Sequence, residues 1–179
     1  MRVFHWVTSF FWRLCPLTVF MACASTSQLS GDGRWLSAFL YGGLAAFVHL
    51  MIIVVRVRIV NRIILAVDLW LLLGCLAVFV PLDSMLLLFR QTKEAGLFAV
   101  ICAVGCVSTV VGPHGFIGCV APARRILRYS LVLLLLAFFC CALSLGFQGR
   151  IVLSAALPLL ILLLANSCLR KRAEYGTAL

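Results

Sequence analysis

The sequence predicts an all-α fold, a polytopic transmembrane bundle of about six helices, or five if the N-terminal segment is cleaved. Three observations carry this expectation. Hydrophobic residues make up 65% of the 179 and charged residues only 11%, against about a quarter charged in an ordinary soluble domain. The apolar residues come as continuous runs that do not alternate with polar ones, which argues against a transmembrane barrel. The connections between runs are short and leave no room for a soluble domain. The chain therefore reads as one integral-membrane domain over 1–179.

The first run, Phe10 to Thr26, reads FFWRLCPLTVFMACAST. Its mainly apolar part, Leu14 to Ala24, is short for a span and suits a signal-peptide core. Ala22-Cys23-Ala24 fits an A-x-A cleavage site. Phe20-Met21-Ala22-Cys23 loosely resembles a lipoprotein box, in which Cys23 becomes the lipidated first residue. The upstream stretch argues for retention. A signal n-region is short and polar, whereas Val3 to Val7 and Phe10 to Trp12 are strongly aromatic. Trp6 and Trp12 suit a membrane interface, and Arg13 can snorkel to headgroups. The expectation is a retained helix over 4–24, with cleavage at the Ala22-Cys23-Ala24 site, after Ala24, and lipidation of Cys23 as the alternatives.

Five further runs follow, over 35–55, 63–82, 95–112, 129–147 and 151–168. Each has the roughly 18–21 residues that cross a hydrocarbon core of about 30 Å. Only helices satisfy their own backbone in lipid. Gly112-Pro113-His114-Gly115 breaks the fourth helix. Phe116 to Val120 then reads as a plain loop, or as a short piece that dips back into the interface. Pro158 predicts a kink in the sixth helix.

The basic residues fix an orientation. Arg2 and Arg13, Arg56, Arg58 and Arg62, Arg124, Arg125 and Arg128, and Arg170, Lys171 and Arg172 fall on one side, eleven of the fifteen Lys and Arg. Arg34, Arg90, Lys93 and Arg150 fall on the other. The positive-inside rule then predicts six crossings with both termini cytoplasmic if residues 1–24 are retained, in a plasma or bacterial inner membrane. The net charge of +10 is spread over helix ends and does not form one patch, so nucleic acid is not expected as a partner. The expected partners are the bilayer and other membrane-protein subunits. Arg124, Arg125 and Arg128 are placed to contact anionic lipid, at about 1 kcal/mol per basic residue.

Two residues stand out as chemistry. Asp68 lies inside the third helix, where a carboxylate costs about 2.5–3.5 kcal/mol on insertion scales unless it is paired or hydrated. His49 lies in the second helix, seven residues before Arg56, as Asp68 lies six after Arg62. The two should sit at similar depth, roughly 10 Å below the headgroups. Gly42, Ala46 and His49 share one helical face, a small-residue seam that would turn His49 inward. The pair reads either as a clasp that fixes register, as a group that pairs instead with Arg62 or Arg58, or as a proton- or cation-coupling site. In the fourth helix Ala95, Ala99 and Ala103 suggest a second seam. In the fifth, Ser130, Ala137, Cys141 and Ser144 mark a packed side.

Other chemistries are disfavoured. The nine cysteines lie mostly inside apolar runs and form no CxxC pair,. No HExxH, GxSxG or Walker motif occurs, and only five acidic residues exist in the chain,. No catalytic residue, metal site or cofactor is expected, although two of His5, His49 and His114 could ligate one b-type haem. In size and layout alone the chain resembles substrate-binding subunits of vitamin importers and immunity proteins against pore-forming toxins. The functional expectation is a non-enzymatic subunit or accessory factor of a membrane assembly. A small-solute or proton-coupled transporter, or its membrane substrate-binding component, using Asp68 and His49 is the alternative. A haem-binding membrane anchor is the third.

Overall fold

A computed structural model describes residues 14–26, 32–56, 60–80, 89, 91–92, 94–147, 150 and 152–175. Among the described residues there are six helices and no strand. They are α1 (Cys15–Thr26), α2 (Asp32–Arg56), α3 (Arg62–Phe79), α4 (Ala95–Val111), α5 (Ala123–Gly146) and α6 (Leu157–Tyr175), the last entered through a π-turn at Val152–Ala156. Trp35–Val55, Arg62–Phe79, Ala123–Gly146 and Val152–Glu174 are long and apolar enough to cross a membrane, and Cys15–Ser25 and Ala95–Val111 are shorter apolar helices. The protein is an all-helical integral membrane protein of the bundle class.

Several helix ends differ from the hydropathy boundaries. The described part of the first helix starts at Cys15, and positions 4–13 of the expected span lie outside the described residues. Helix α5 starts at Ala123, directly after Pro122, and not at 129. Its early turns carry Arg124, Arg125 and Arg128. Hydropathy windows stop at such charges, but arginine is a good helix former, so the backbone does not. Helix α6 runs on to Tyr175 for the same reason, aided by an Arg170–Glu174 ion pair at 3.1 Å on one face,.

The chain forms two compact units, Met1–Arg58 with Val67–Arg90, and Ile59–Ala66 with Gln91–Leu179. In the first unit α1 packs on α2. Phe20 of α1 is 3% exposed. Its ring lies 5.0 Å from Phe39, 5.4 Å from Trp70 and 5.9 Å from Trp35. Glycines let the backbones approach. A side chain at Gly43 would meet Cys75, and one at Gly74 would meet the ring of Phe39.

In the second unit α4 packs on α5, and α5 on α6. The buried stripe of α4 runs Ala95, Phe98, Ile101 and Cys102, Gly105. The expected seam of Ala95, Ala99 and Ala103 holds only at its first member, because Ala99 and Ala103 are exposed. A strict four-residue spacing advances about 400° per step and drifts off a face, whereas alternating steps of three and four stay on it. On α5 the buried side is Ile126, Ser130, Leu133, Ala137, Cys140 and Ser144, with Cys141 half-buried beside it.

The segment after α4 is a compact buried turn. Phe116, Ile117 and Cys119 are at most 1% exposed. Gly115 and Gly118 have φ of 57° and 64°, the left-handed region that glycine enters without strain,. Burying such a turn requires partners for its backbone. Ser130 Oγ accepts the N–H of Phe116 at 3.0 Å and that of Ile117 at 3.5 Å.

Candidate functional site

The first unit holds the acid–base pair. His49 and Asp68 are 7% and 1% exposed, and His49 Nδ1 lies 2.8 Å from Asp68 Oδ2. With the carboxylate ionised, Nδ1–H donates and Oδ2 accepts. The face arithmetic explains the placement. Gly42, Ala46, His49 and Ile53 recur at helical spacing on α2, and all four are buried,. Gly42 abuts Phe20 and Leu71, so the seam draws α2 inward at that level. On α3, Val67, Asp68 and Leu71 share the opposing buried side. Asp68 Oδ1 is buried and has no hydrogen-bond partner among the described residues. The site therefore has one carboxylate oxygen closed by histidine and one left open.

The second unit holds a polar cluster that hydropathy does not single out. At the start of α3, Asn61 Oδ1 accepts the Ile63 N–H at 3.1 Å, a side-chain N-cap,. The same oxygen accepts Asn166 Nδ2–H of α6 at 3.3 Å. The buried turn lies against this corner, with Gly118 close to the Val60 carbonyl. Arg124 and Arg128 are exposed and Arg125 is half-buried. One guanidinium nitrogen each of Arg62 and Arg125 is buried without a hydrogen-bond partner among the described residues. Glu94, Ser144 and Ser154 of the same unit are also buried polar residues, 6%, 0% and 0% exposed.

Comparison with known proteins adds no assignment. No family model, no curated protein and no solved structure matches the chain.

The remaining sequence-derived positions fall as follows. Cys23 and Ala24 are half-buried on α1. His114 is half-buried in the turn after α4, in the second unit, while His49 is in the first. His5 lies outside the described residues. Among the described residues no three His, Cys, Asp or Glu side chains are grouped to hold a metal. Nothing local in the sequence separates buried Glu94 and Asn166, or half-buried Asn61, from hydrated polar residues.

Proposed function

We propose that the protein is a non-enzymatic subunit or accessory factor of a membrane assembly, in which His49 and Asp68 act as a polar clasp between α2 and α3. The observation that supports this reading is the pair itself. A carboxylate and an imidazole, each nine-tenths buried, meet at 2.8 Å. Such a contact fixes the register of two apolar helices that lipid alone would let slide. Outward faces are left for lipid or protein. Val54, Val55, Val110, Val111 and Leu135 are 69–84% exposed. The orientation that goes with this reading has six crossings and cytoplasmic termini, in a plasma or bacterial inner membrane. Arg124 and Arg128 then face anionic headgroups. A retained α1 fits, because removing it would take Phe20 out of the cluster with Phe39 and Trp70.

The test is mild-detergent purification at native expression level. Stoichiometric recovery of other membrane proteins supports the reading. Solute movement by the purified chain alone in vesicles overturns it.

A second reading, a small-solute or proton-coupled transporter or its binding component, is favoured by Asp68 Oδ1, which is buried and open. Asp68→Asn separates the two. A clasp predicts a lower protein level or altered assembly. Coupling predicts normal level with transport lost.

A further inference from the structure

One end of the second unit gathers more positive charge than the unit's own acidic residues answer. The unit comprises Ile59–Ala66 and Gln91–Leu179, and its acidic residues are Glu94 and Glu174. Glu94 precedes α4, whose 17 residues span about 25 Å before the buried turn begins,. Glu174 is paired with Arg170 at 3.1 Å. Asp68 lies six residues along α3 from Arg62, a spacing that does not share a helical face, and it is bonded to His49,. Arg62 and Arg125 are half-buried, and Arg62 Nε and Arg125 Nη1 are buried without a hydrogen-bond partner among the described residues. A guanidinium drawn out of water without an acceptor is costly, so these two side chains call for an anion.

The buried turn sets the two arginines on its flanks. A side chain at Gly118 would lie 3.1 Å from the carbonyl of Val60, two residues before Arg62. A side chain at Gly115 would meet Ile126, the residue after Arg125, and Ser130. Gly115 and Gly118 belong to one turn, closed by the Gly118 N–H on the His114 carbonyl at 3.1 Å. The starts of α3 and α5 therefore stand on either side of a single turn. Both are positive poles of their helices, and α5 has no side-chain cap bond, so cations there are disfavoured until an anion joins them,. A lipid-facing column continues from this rim. Arg124, Arg128, Leu131 and Leu135 recur at steps of four, three and four along α5, and all four are exposed,.

We propose that this end of the second unit is a specific site for an anionic phospholipid, with the headgroup phosphate held by Arg62 and Arg125 across the turn and an acyl chain along Leu131 and Leu135. A guanidinium offers a planar fork of donors that matches phosphate oxygens. One nitrogen of each arginine is lodged in the protein, which fixes the plane of the fork and leaves its other nitrogens for the phosphate. Arg124 and Arg128, fully in the open, add attraction without a fixed geometry. A free phosphate would engage the arginines but not the leucine column, so the pairing of the two favours a lipid. The site refines the headgroup contact of Arg124 and Arg128, and it stands whether the protein is a subunit or a transporter.

The experiment is thermal unfolding of the full chain in zwitterionic detergent at constant ionic strength, titrated with phosphatidylglycerol, phosphatidylcholine or inorganic phosphate. The expected result is a saturable rise in melting temperature with phosphatidylglycerol and none with the other two. Arg62→Gln and Arg125→Gln should each raise the half-saturating phosphatidylglycerol concentration about tenfold or more. The double variant should fall short of the product of the two, because both arginines hold one phosphate. Arg124→Gln removes the same charge and should raise that concentration about five-fold at most. Arg62→Lys and Arg125→Lys keep the charge but lose the fork, and should still weaken binding; they carry the test if a glutamine variant does not fold. An equal loss in all three glutamine variants, no loss in the lysine variants, or an equal rise with phosphatidylcholine or inorganic phosphate overturns the proposal.

Discussion

His49 Nδ1 and Asp68 Oδ2 are 2.8 Å apart although their residues are separated by nineteen positions and lie on two different apolar helices. Neither side chain has a reason to be inside a membrane alone. Together each lowers the cost of the other, and the bond exists only at one register of α2 against α3. The contact therefore predicts strong coupling. His49→Ala and Asp68→Ala should each lower the melting temperature, and the double variant should be less unstable than the sum. A double-mutant cycle in detergent should give a coupling of about 1–2 kcal/mol. Simple additivity would mean that the pair does not hold the helices.

Gly43 and Gly74 predict a size limit. Gly74→Ala forces a methyl group against the Phe39 ring, and Gly43→Ala forces one against Cys75. Each should destabilise by about 1–3 kcal/mol. Ala99→Leu, on the exposed side of α4, should change stability by no more than about 0.5 kcal/mol,. Thermal unfolding of the three variants checks the contrast.

Ser130 predicts a backbone cost. Ser130→Ala strips the acceptor from the Phe116 and Ile117 N–H groups, both buried. A loss of about 1–3 kcal/mol is expected. Ser130→Thr keeps the oxygen and should lose less. Faster amide exchange confined to the 112–120 turn in Ser130→Ala would identify the mechanism.

The thiols predict a pH-dependent pattern. Cys119 is 0% exposed, and burial, with Glu174 nearby, pushes its thiol above its ordinary value of 9.0. A membrane-permeant maleimide should label exposed Cys168 before Cys119 at pH 8. Because the folded state holds this proton more tightly than the unfolded chain does, the resulting stability is complete below about pH 9 and declines as pH rises further,. Cys119→Ser should flatten that alkaline decline.

The part of this architecture that was legible in the sequence is the part that hydropathy measures. Continuous apolar runs must become helices in lipid, and a lone Asp68 in such a run stands out. The Gly42–Ala46–His49 spacing then placed the histidine on the buried side by geometry alone. What escaped was polar structure near helix ends. Arg124 to Arg128 ended the apolar run without ending the helix. Glu94, beside Lys93 in sequence, carries no local signal of burial, yet it is 6% exposed. The alanine repeat in α4 was misleading because it tests spacing in one dimension, while burial follows the angle around the axis.

The π-turn at Val152–Ala156 has a further consequence for residues well beyond it. A π-turn holds one more residue than the α-turn it replaces, and each residue is worth about 100° of azimuth. Deleting one residue there would relax the backbone to α pitch and rotate the rest of α6 by that angle relative to what precedes it. Leu162 and Asn166 would turn away from the packed side, and the 3.3 Å contact of Asn166 with Asn61 would be lost. The surplus residue works as a phase shifter. Substitutions at exposed Val152 or Leu153 should be tolerated, while a single deletion in the same turn should disrupt the far end of the helix.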